Sequence, residues 1–273
     1  MDQRALEELL GEPVRSLSAL GGGDINDAYL VQTASARVFM KTHAAPPPGM
    51  YTCEAEGLSW LAAANALPCP RVLAVSERML LLEYVEPGAR GRDFDVRLGR
   101  GLAALHRFGA PTFGFARDNF IANLPQRNSE RGCFAEFYRD QRLLPMIEGL
   151  DAALRRRFDR LFAALGELIA SEPPARLHGD LWSGNVHCTA RGEPMLIDPA
   201  VYGGAREVDL AMLQLFGSPS RAFFDAYDEV YPRLPGHEER VALYQLYPLL
   251  VHVRLFGGSY LRSVQDALAR IGF

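Results

Sequence analysis

The sequence predicts an α+β protein with two lobes. A small antiparallel β-sheet with one helix is expected over residues 1–85, and a larger, mainly helical lobe over residues 86–273. Before residue 85 the apolar residues fall in short runs rich in β-branched and aromatic side chains, whereas after Pro87 and Gly88 they recur every three to four residues. A chain of 273 residues is long enough for two lobes that share a cleft.

The first lobe is predicted to begin with a short amphipathic helix that Gly11 and Pro13 end. The runs AYLVQT and RVFMKTH, separated by the small turn ASA, are typical of a β-hairpin. The segment YTCEAEGLSWLAAANA has helical spacing, and the runs RVLAVS and RMLLLEYV after it supply two further strands. Together these elements predict one sheet covered by one helix.

The second lobe is predicted to be helical almost throughout, in VRLGRGLAALHRFG, FAEFYRDQRLLPMIEGL, LRRRFDRLFAALGELIA and the aromatic-rich segments after Leu210. One strand pair is expected in NVHCTARGEPMLID, with its turn at Arg191 and Gly192. The late apolar segment YQLYPLLVHVRLFGGSYL contains His252 and is interrupted by Pro248, so it is shorter than the ~20 apolar residues of a membrane span. We expect it to be a core helix.

Composition and charge exclude several classes of function. The net charge of -4 provides no polybasic face for nucleic acid or anionic lipid, so neither a nucleic acid nor a membrane is expected as a partner. The four cysteines lie far apart without zinc-ligand spacing, and we interpret them as reduced thiols of a cytoplasmic protein. The acidic start of the chain, MDQRALEELL, does not fit a signal peptide.

The most informative motif is LHGDLWSGN, which places Asp180 and Asn185 five residues apart, followed by Asp198 at the end of a short apolar run. Phosphoryl transfer from ATP needs a carboxylate that accepts the proton of the attacking hydroxyl and oxygen ligands that hold Mg²⁺. The kinase catalytic loop H-x-D-x-x-x-x-N matches at His178, Asp180 and Asn185. The motif therefore predicts Asp180 as the base and Asn185 and Asp198 as metal ligands.

The first lobe contains the parts that ATP binding would need. Lys41 ends the strand RVFMK, and Glu54 on the next helix is expected to pair with it, with Glu56 as the alternative. The glycine run of Gly21, Gly22 and Gly23 is expected to approach the phosphates, although hairpin turns use the same residues.

The sequence resembles the fructosamine kinase (ketosamine-3-kinase) family, a branch of the aminoglycoside-phosphotransferase-like kinases. The resemblance spans nearly the whole chain and rests on GGGDIN, VFMKTH, MYTCEAEGLSWL, LLEYVEPG, LHGDLWSGN and LIDPAVYGGAREVDLAM. The last two motifs are the most specific, because other small-molecule kinases share the H-G-D-x-x-x-x-N loop without the Trp and the Y-G-x-x-E-x-D-L continuation.

The resemblance implies a protein-kinase-like bilobal fold and ATP-dependent phosphorylation of the sugar 3-hydroxyl of ketosamines on amines or protein lysines, which leads to deglycation. Phosphorylation of an aminoglycoside or another small-molecule hydroxyl is the alternative. The backbone of Glu83, Tyr84 and Val85 is expected to meet adenine, and Trp182 to form a wall of the sugar pocket, because an aromatic face suits sugar C–H groups.

Roles are expected for three further residues, and a fourth is left without one. The loop residues Arg127 and Asn128 are expected to border the sugar, and Asp209 to brace the catalytic loop through its backbone. Asp24 puts a negative charge in the glycine loop, and the sequence offers no account of it.

Overall fold

The computed structural model describes residues 3–21 and 26–273. The first part contains, in order, α1 (Gln3–Leu10), β1 (Ser16–Leu20), β2 (Asp27–Gln32), β3 (Arg37–Thr42), α2 (Met50–Ala62), β4 (Val72–Val75) and β5 (Met79–Glu83). The five strands form one antiparallel sheet in the order β1-β2-β3-β5-β4. The predicted hairpin is β2 and β3, whose register pairs Ala28 with Lys41.

Side chains along β3 alternate between the two faces of the sheet, and this determines the face on which Lys41 lies. Val38 and Met40 point to one face, where they pack with Leu6 of α1. Phe39 lies on the opposite face, against the cluster that includes Tyr51 of α2. Because successive strand residues alternate between faces, Lys41 shares the α2 face with Phe39.

The second part is mainly helical, as predicted. Its helices are α3 (Phe94–Phe108), α4 (Phe134–Phe137), α5 (Leu144–Met146), α6 (Ala152–Leu168), α7 (Glu207–Leu215), α8 (Arg221–Val230), α9 (His237–Phe256) and α10 (Leu261–Arg270). Its strands form three two-stranded sheets from β6 (Asn119–Ile121) with β7 (Leu124–Gln126), β8 (Ala175–Leu177) with β11 (Tyr202–Gly204), and β9 (Val186–Cys188) with β10 (Pro194–Leu196). Two short 3₁₀ turns complete it, Ser183–Asn185 and Gly258–Tyr260.

The core of this half surrounds α9. The middle of α9 is buried, and it contacts α7 and α10 on either side. Helices α3 and α8 cross closely because Gly99 has no side chain; a Cβ there would lie 2.3 Å from the carbonyl oxygen of Phe223. Pro248 lies inside α9, so the expected interruption at this proline is wrong, whereas the predicted core helix is present.

The segment FAEFYRDQRLLPMIEGL was predicted as one helix but is divided into α4, a π-helix (Tyr138–Leu143) and α5. Pro145 has no N–H with which to bond the Gln141 carbonyl four residues earlier. The side chain of Arg142 donates to that carbonyl instead, at 3.2 Å from Nη1. Within the π-helix the backbone bonds span five residues, as from the Leu144 N–H to Arg139 O.

A linker joins the five-stranded sheet to the helical half and is fixed to the β9–β10 hairpin. Pro87 forms an isolated bridge with Thr189, and the backbone N–H of Gly88 donates to Cys188 O at 2.9 Å. A Cβ on Gly88 would lie 2.5 Å from the Thr189 oxygen, so the contact requires glycine. The division of the chain into domains at residue 85 stays a prediction.

No helix within residues 3–21 and 26–273 has both the length and the apolar character to cross a membrane.

Candidate active site

Asp209 of α7 fixes the loop that follows β8. Its carboxylate accepts hydrogen bonds from the backbone N–H groups of His178 and Gly179, at 2.8 and 2.9 Å. His106 of α3 lies 3.2 Å away through Nε2, and Asp209 is fully buried. Asp209 therefore braces the loop, as the sequence predicted.

The loop packs tightly against the segment that follows Asp198. Gly179 has φ +83°, and a Cβ on it would lie 2.0 Å from the carbonyl oxygen of Ala200, so a side chain is excluded. The buried ring of His178 donates through Nε2 to Ile197 O at 2.9 Å, while Nδ1 accepts from the Asp180 N–H at 3.3 Å. Burial lowers the pKa of His178. The ring therefore orients the loop by connecting the backbone of Asp180 to the backbone of Ile197.

Asp180 and Asn185 lie side by side at the end of this loop. Nδ2 of Asn185 donates to the Asp180 carbonyl at 2.8 Å and to its carboxylate Oδ2 at 3.1 Å. Burial, together with the negative charge of Asp198, raises the pKa of Asp180 to about 7, against the opposing effect of the Asn185 hydrogen bond. A carboxyl group with this pKa is suited to accept a proton near neutral pH.

Asp198 has an unusual backbone conformation. It follows β10 in a loop held by Ile197 N donating to Asn185 O at 3.1 Å. Its φ is +54°, in the left-handed region that Asn and Asp tolerate better than most other residues. A non-glycine residue held there often marks a functional position. The conformation brings its carboxylate Oδ1 to 2.7 Å from Lys41 Nζ.

Lys41 joins the sheet to this loop. Its Nζ lies 2.7 Å from Glu54 Oε1 of α2 as well as from Asp198, and the lysine side chain is almost completely buried. Burial opposes its charge, but the two carboxylates more than compensate and raise the pKa of Lys41, so it stays protonated. Glu56 pairs instead with Arg117 at 2.9 Å. Of the two candidate partners, the structure brings Glu54 to Lys41.

These groups face one cleft of about 1100 Å³. At one end lie Gly21 and the three residues expected at adenine, Glu83, Tyr84 and Val85, with the apolar side chains Leu20, Ala28, Phe39, Leu82, Met195 and Ile197. Gly22, Gly23 and Asp24 lie outside the residues that the structure describes. The apolar lining beside β5 has the character of a site for a flat heterocycle.

Trp182 lines the other end of the cleft. Its side chain is 39% exposed, which is inconsistent with a core anchor beneath the loop. The ring lies over Gly184, where a Cβ would meet the ring atoms at 2.3 to 2.6 Å. Gly184 therefore leaves the space that the indole occupies.

The oxygen atoms of the site fit a magnesium ion bound together with phosphates. Because Nδ2 of Asn185 makes the donor contacts, its amide oxygen can act as a ligand beside the carboxylate of Asp198. Over residues 3–21 and 26–273, no group of three or more His, Cys, Asp and Glu side chains could hold a metal ion by itself. Mg²⁺ that is bound together with phosphates nevertheless typically takes only one or two ligands from the protein, here one carboxylate and one amide oxygen. Its remaining ligands are phosphate oxygens and water.

A buried polar network lies beneath the site, and the sequence did not predict it. Gln126 donates to Ala200 O at 3.0 Å, and Asn119 donates to Val201 O at 2.8 Å, so both hold the segment after Asp198. Arg142 donates to Asn128, which is fully buried and bonds to Asn119. The expectation that Asn128 borders the sugar is therefore wrong. Isolated amides on three-residue strands and in a loop carry no periodic signal, so the sequence offered no means of finding them.

A small five-stranded antiparallel sheet beside a helical half, with Lys41, Asp180, Asn185 and Asp198 facing one cleft, defines a phosphotransferase of the protein-kinase-like class. The comparisons with known proteins agree. The sequence profile described as fructosamine kinase matches residues 2–272, and the chain belongs to this family.

Three relatives illustrate the similarity. A Synechocystis protein assigned as a ketoamine kinase is 36% identical over 96% of this chain and 93% of its own length. The chloroplastic protein-ribulosamine 3-kinase of Oryza sativa subsp. japonica is 34% identical over 97% of this chain and 81% of its own. A crystal structure assigned as a fructosamine-3-kinase from Thermobifida fusca is 38% identical and covers 98% of this chain and 97% of its own, with a TM-score of 0.91.

Proposed function

We propose that this enzyme transfers the γ-phosphoryl group of ATP to the sugar 3-hydroxyl of ketosamines, the fructosamine- or ribulosamine-type adducts that form when glucose or ribose derivatives react with amines or protein lysines. The observation that carries the proposal is the convergence of Asp180, Asn185, Asp198 and Lys41 on one cleft that also contains the exposed indole of Trp182. The family and the named activities of the relatives support the same reaction.

The acceptor hydroxyl would lie beside Asp180, whose carboxylate accepts its proton as the sugar oxygen bonds to the γ-phosphorus. The bond from that phosphorus to the β–γ bridging oxygen breaks, and ADP leaves with the electron pair. Asn185 holds the Asp180 carboxylate in place through the 3.1 Å hydrogen bond. Because Asp180 is deeply placed and oriented by its neighbours, positioning contributes strongly to the rate.

Lys41 would bind the α- and β-phosphates, and Glu54 keeps its ammonium group directed into the cleft. The oxygens of Asn185 and Asp198 would hold Mg²⁺, which supplies neutralisation of the charge on the transferring phosphates. Adenine would lie beside the backbone of Glu83, Tyr84 and Val85, and the sugar would lie against Trp182.

A phosphate on the 3-oxygen of a ketosamine is a better leaving group than the hydroxyl and lies next to the C2 carbonyl. Loss of a proton from C1 and departure of inorganic phosphate from C3 would leave an imine, which water hydrolyses to the free amine and a deoxy-dicarbonyl sugar, so the reaction would serve to remove sugars from amines and proteins. We place the reaction in the cytoplasm, because all four cysteines are free thiols.

The test is ATP consumption by the purified protein with Mg²⁺ on ribulose-lysine, fructose-lysine and kanamycin at equal concentration. We expect turnover of a ketosamine with a heat- or alkali-labile phosphate product, and no turnover by Asp180→Ala. Turnover of kanamycin alone would contradict the proposal and would assign the enzyme to phosphorylation of an aminoglycoside or another small-molecule hydroxyl.

A further inference from the structure

Four aromatic side chains continue the wall that Trp182 begins and have no part in the chemistry described above. These residues, called here the aromatic row, are Phe216 after α7, His252 and Phe256 on α9, and Tyr260 in the following 3₁₀ turn. All four line the same cleft as Asp180. Phe216 and Phe256 are 39% and 49% exposed, and together with the neighbouring rings they form a contiguous exposed apolar surface inside a cleft, which is typical of a binding surface.

The row is continuous with Trp182. The Trp182 and Phe216 ring centroids lie 6.3 Å apart, and those of Phe216 and His252 lie 4.9 Å apart. His252 is in turn 5.5 Å from Phe256 and 4.9 Å from Tyr260. A molecule that places its sugar at Trp182 would therefore extend its remaining substituent along the row.

His252 adds a polar atom to this surface. Its Nδ1 lies 2.7 Å from the carbonyl oxygen of Pro248, and because a carbonyl only accepts, Nδ1 carries the proton. In the tautomer with its proton on Nδ1, Nε2 is an acceptor. Aromatic faces around one acceptor form a favourable environment for an ammonium N–H group and for the alkyl chain attached to it.

The charges lining the cleft disfavour an anion at the row. Among the described lining residues, Lys41 is the only Lys or Arg, and it is engaged by Glu54 and Asp198. A carboxylate placed on the row would lose water and meet no cation, which is costly. An ammonium group also loses water there, but aromatic faces and the His252 acceptor replace part of that hydration.

We propose that the aromatic row binds the amine substituent of the substrate and selects ketosamines with a long alkyl arm, as on the ε-amine of lysine, over those with a carboxylate next to the amine. This inference rests on the proposed function, because it takes the sugar-bearing amine as the ligand. It assigns specificity to Phe216, His252, Phe256 and Tyr260, and leaves phosphoryl transfer to the groups already described.

The test compares three ketosamines of one sugar, formed on methylamine, on the ε-amine of Nα-acetyl-lysine amide and on glycine. We expect the wild-type kcat/KM to be highest for the lysine compound and lowest for the glycine compound. In Phe256→Ala, KM for the lysine compound should rise about five- to tenfold with kcat unchanged, and KM for the methylamine compound should stay within about twofold.

Phe108→Ala is the matched control, because Phe108 is 55% exposed, close to the 49% of Phe256, but does not line the cleft. It should leave all three KM values unchanged. An unchanged KM for the lysine compound in Phe256→Ala, or an equal rise for the lysine and methylamine compounds, would overturn the inference.

Binding of an amine without sugar separates this inference from the proposed function. Calorimetry with Nε-methyl-Nα-acetyl-lysine amide measures the affinity of the aromatic row for an amine with an alkyl arm, whether or not a ketosamine is phosphorylated. Weaker binding to Phe256→Ala than to wild type supports the row even if no ketosamine is turned over. Equal affinity, or no binding to either protein, overturns it even if ketosamines are good substrates.

Discussion

Lys41 and Asp198 are 157 positions apart in the chain, and their side chains form a 2.7 Å ion pair that connects the five-stranded sheet to the loop after β10. The same ammonium group binds Glu54 at 2.7 Å. One buried cation thus holds together a strand, a helix and a loop.

Lys41→Met should remove activity and also destabilise the protein, because it leaves the Glu54 carboxylate buried without its cation. Loss of one partner of a buried pair costs about 3–5 kcal/mol. Urea unfolding and kinase assays would measure the two effects. The double variant Lys41→Met/Glu54→Gln no longer carries the unpaired Glu54 carboxylate, so we expect it to regain much of the stability but no activity. Recovered activity would show that Lys41 takes no part in the reaction.

Asp209→Asn should lower kcat at least tenfold with a small effect on the KM for ATP. The amide has only one acceptor oxygen for the N–H groups of His178 and Gly179, so the position of Asp180 is no longer fixed. We also expect a loss of about 1–3 kcal/mol in the free energy of unfolding. Steady-state kinetics and urea unfolding would measure both quantities.

Glu207→Gln is the matched control for Asp209→Asn. Glu207 is a second buried acid of α7, but it pairs with Arg240 at 2.6 Å and does not contact the catalytic loop. It should lose comparable stability and keep its kcat. An equal fall of kcat in both variants would mean that Asp209 acts only through stability.

Gly184→Ala should displace the Trp182 ring without unfolding the protein, because the new methyl group meets only the outer atoms of an exposed indole. We expect the KM for the sugar substrate to rise about tenfold, which corresponds to about 1.4 kcal/mol, and the KM for ATP to stay unchanged. Ser183→Ala, in the same 3₁₀ turn, is the control. An unchanged sugar KM in Gly184→Ala would argue against Trp182 as the sugar wall.

The pairing of Asp228 with Arg233 should make stability depend on pH. Burial raises the pKa of Asp228, but the hydrogen bonds and charge of Arg233 outweigh it, so the pKa lies below its ordinary value of 3.8. The folded state therefore binds this proton less readily than the unfolded state. The stabilisation is present above the ordinary pKa and is lost as pH falls through the lowered one.

Asp228→Asn should accordingly lose about 1 kcal/mol at pH 7, a value reduced by solvent screening because the carboxylate is 35% exposed. Thermal unfolding of both proteins between pH 2 and 7 would measure the difference. It should shrink as the pH falls below about 4, and a constant difference across this range would contradict the assignment.

The sequence predicted those parts of the fold and site that depend on local patterns. Alternation along RVFMKTH placed Lys41 on a strand, and helical spacing placed Glu54 on α2, where the two pair. The catalytic loop was recognisable because its chemistry requires fixed spacing between Asp180 and Asn185. Where a function imposes a spacing, the pattern can be read without the structure.

The sequence did not predict features that depend on distant contacts. The short strands β6 and β8 have three residues each, too few for a periodic pattern. The π-helix carries Arg142, whose guanidinium donates to Asn128, 14 positions earlier in the chain, and helical spacing gives no sign of this contact. The left-handed conformation of Asp198 likewise depends on packing against the catalytic loop rather than on its neighbours in sequence.

The attachment of the linker to the β9–β10 hairpin limits where the cleft can flex. Pro87 and Gly88 are bonded to Thr189 and Cys188, so the chain from there onward moves with the helical half. The sheet ends at Glu83. Residues 84–86 lie between these two attachments, and two of them, Tyr84 and Val85, also belong to the proposed adenine site, so nucleotide binding and any rotation of the sheet against the helical half involve the same stretch of backbone.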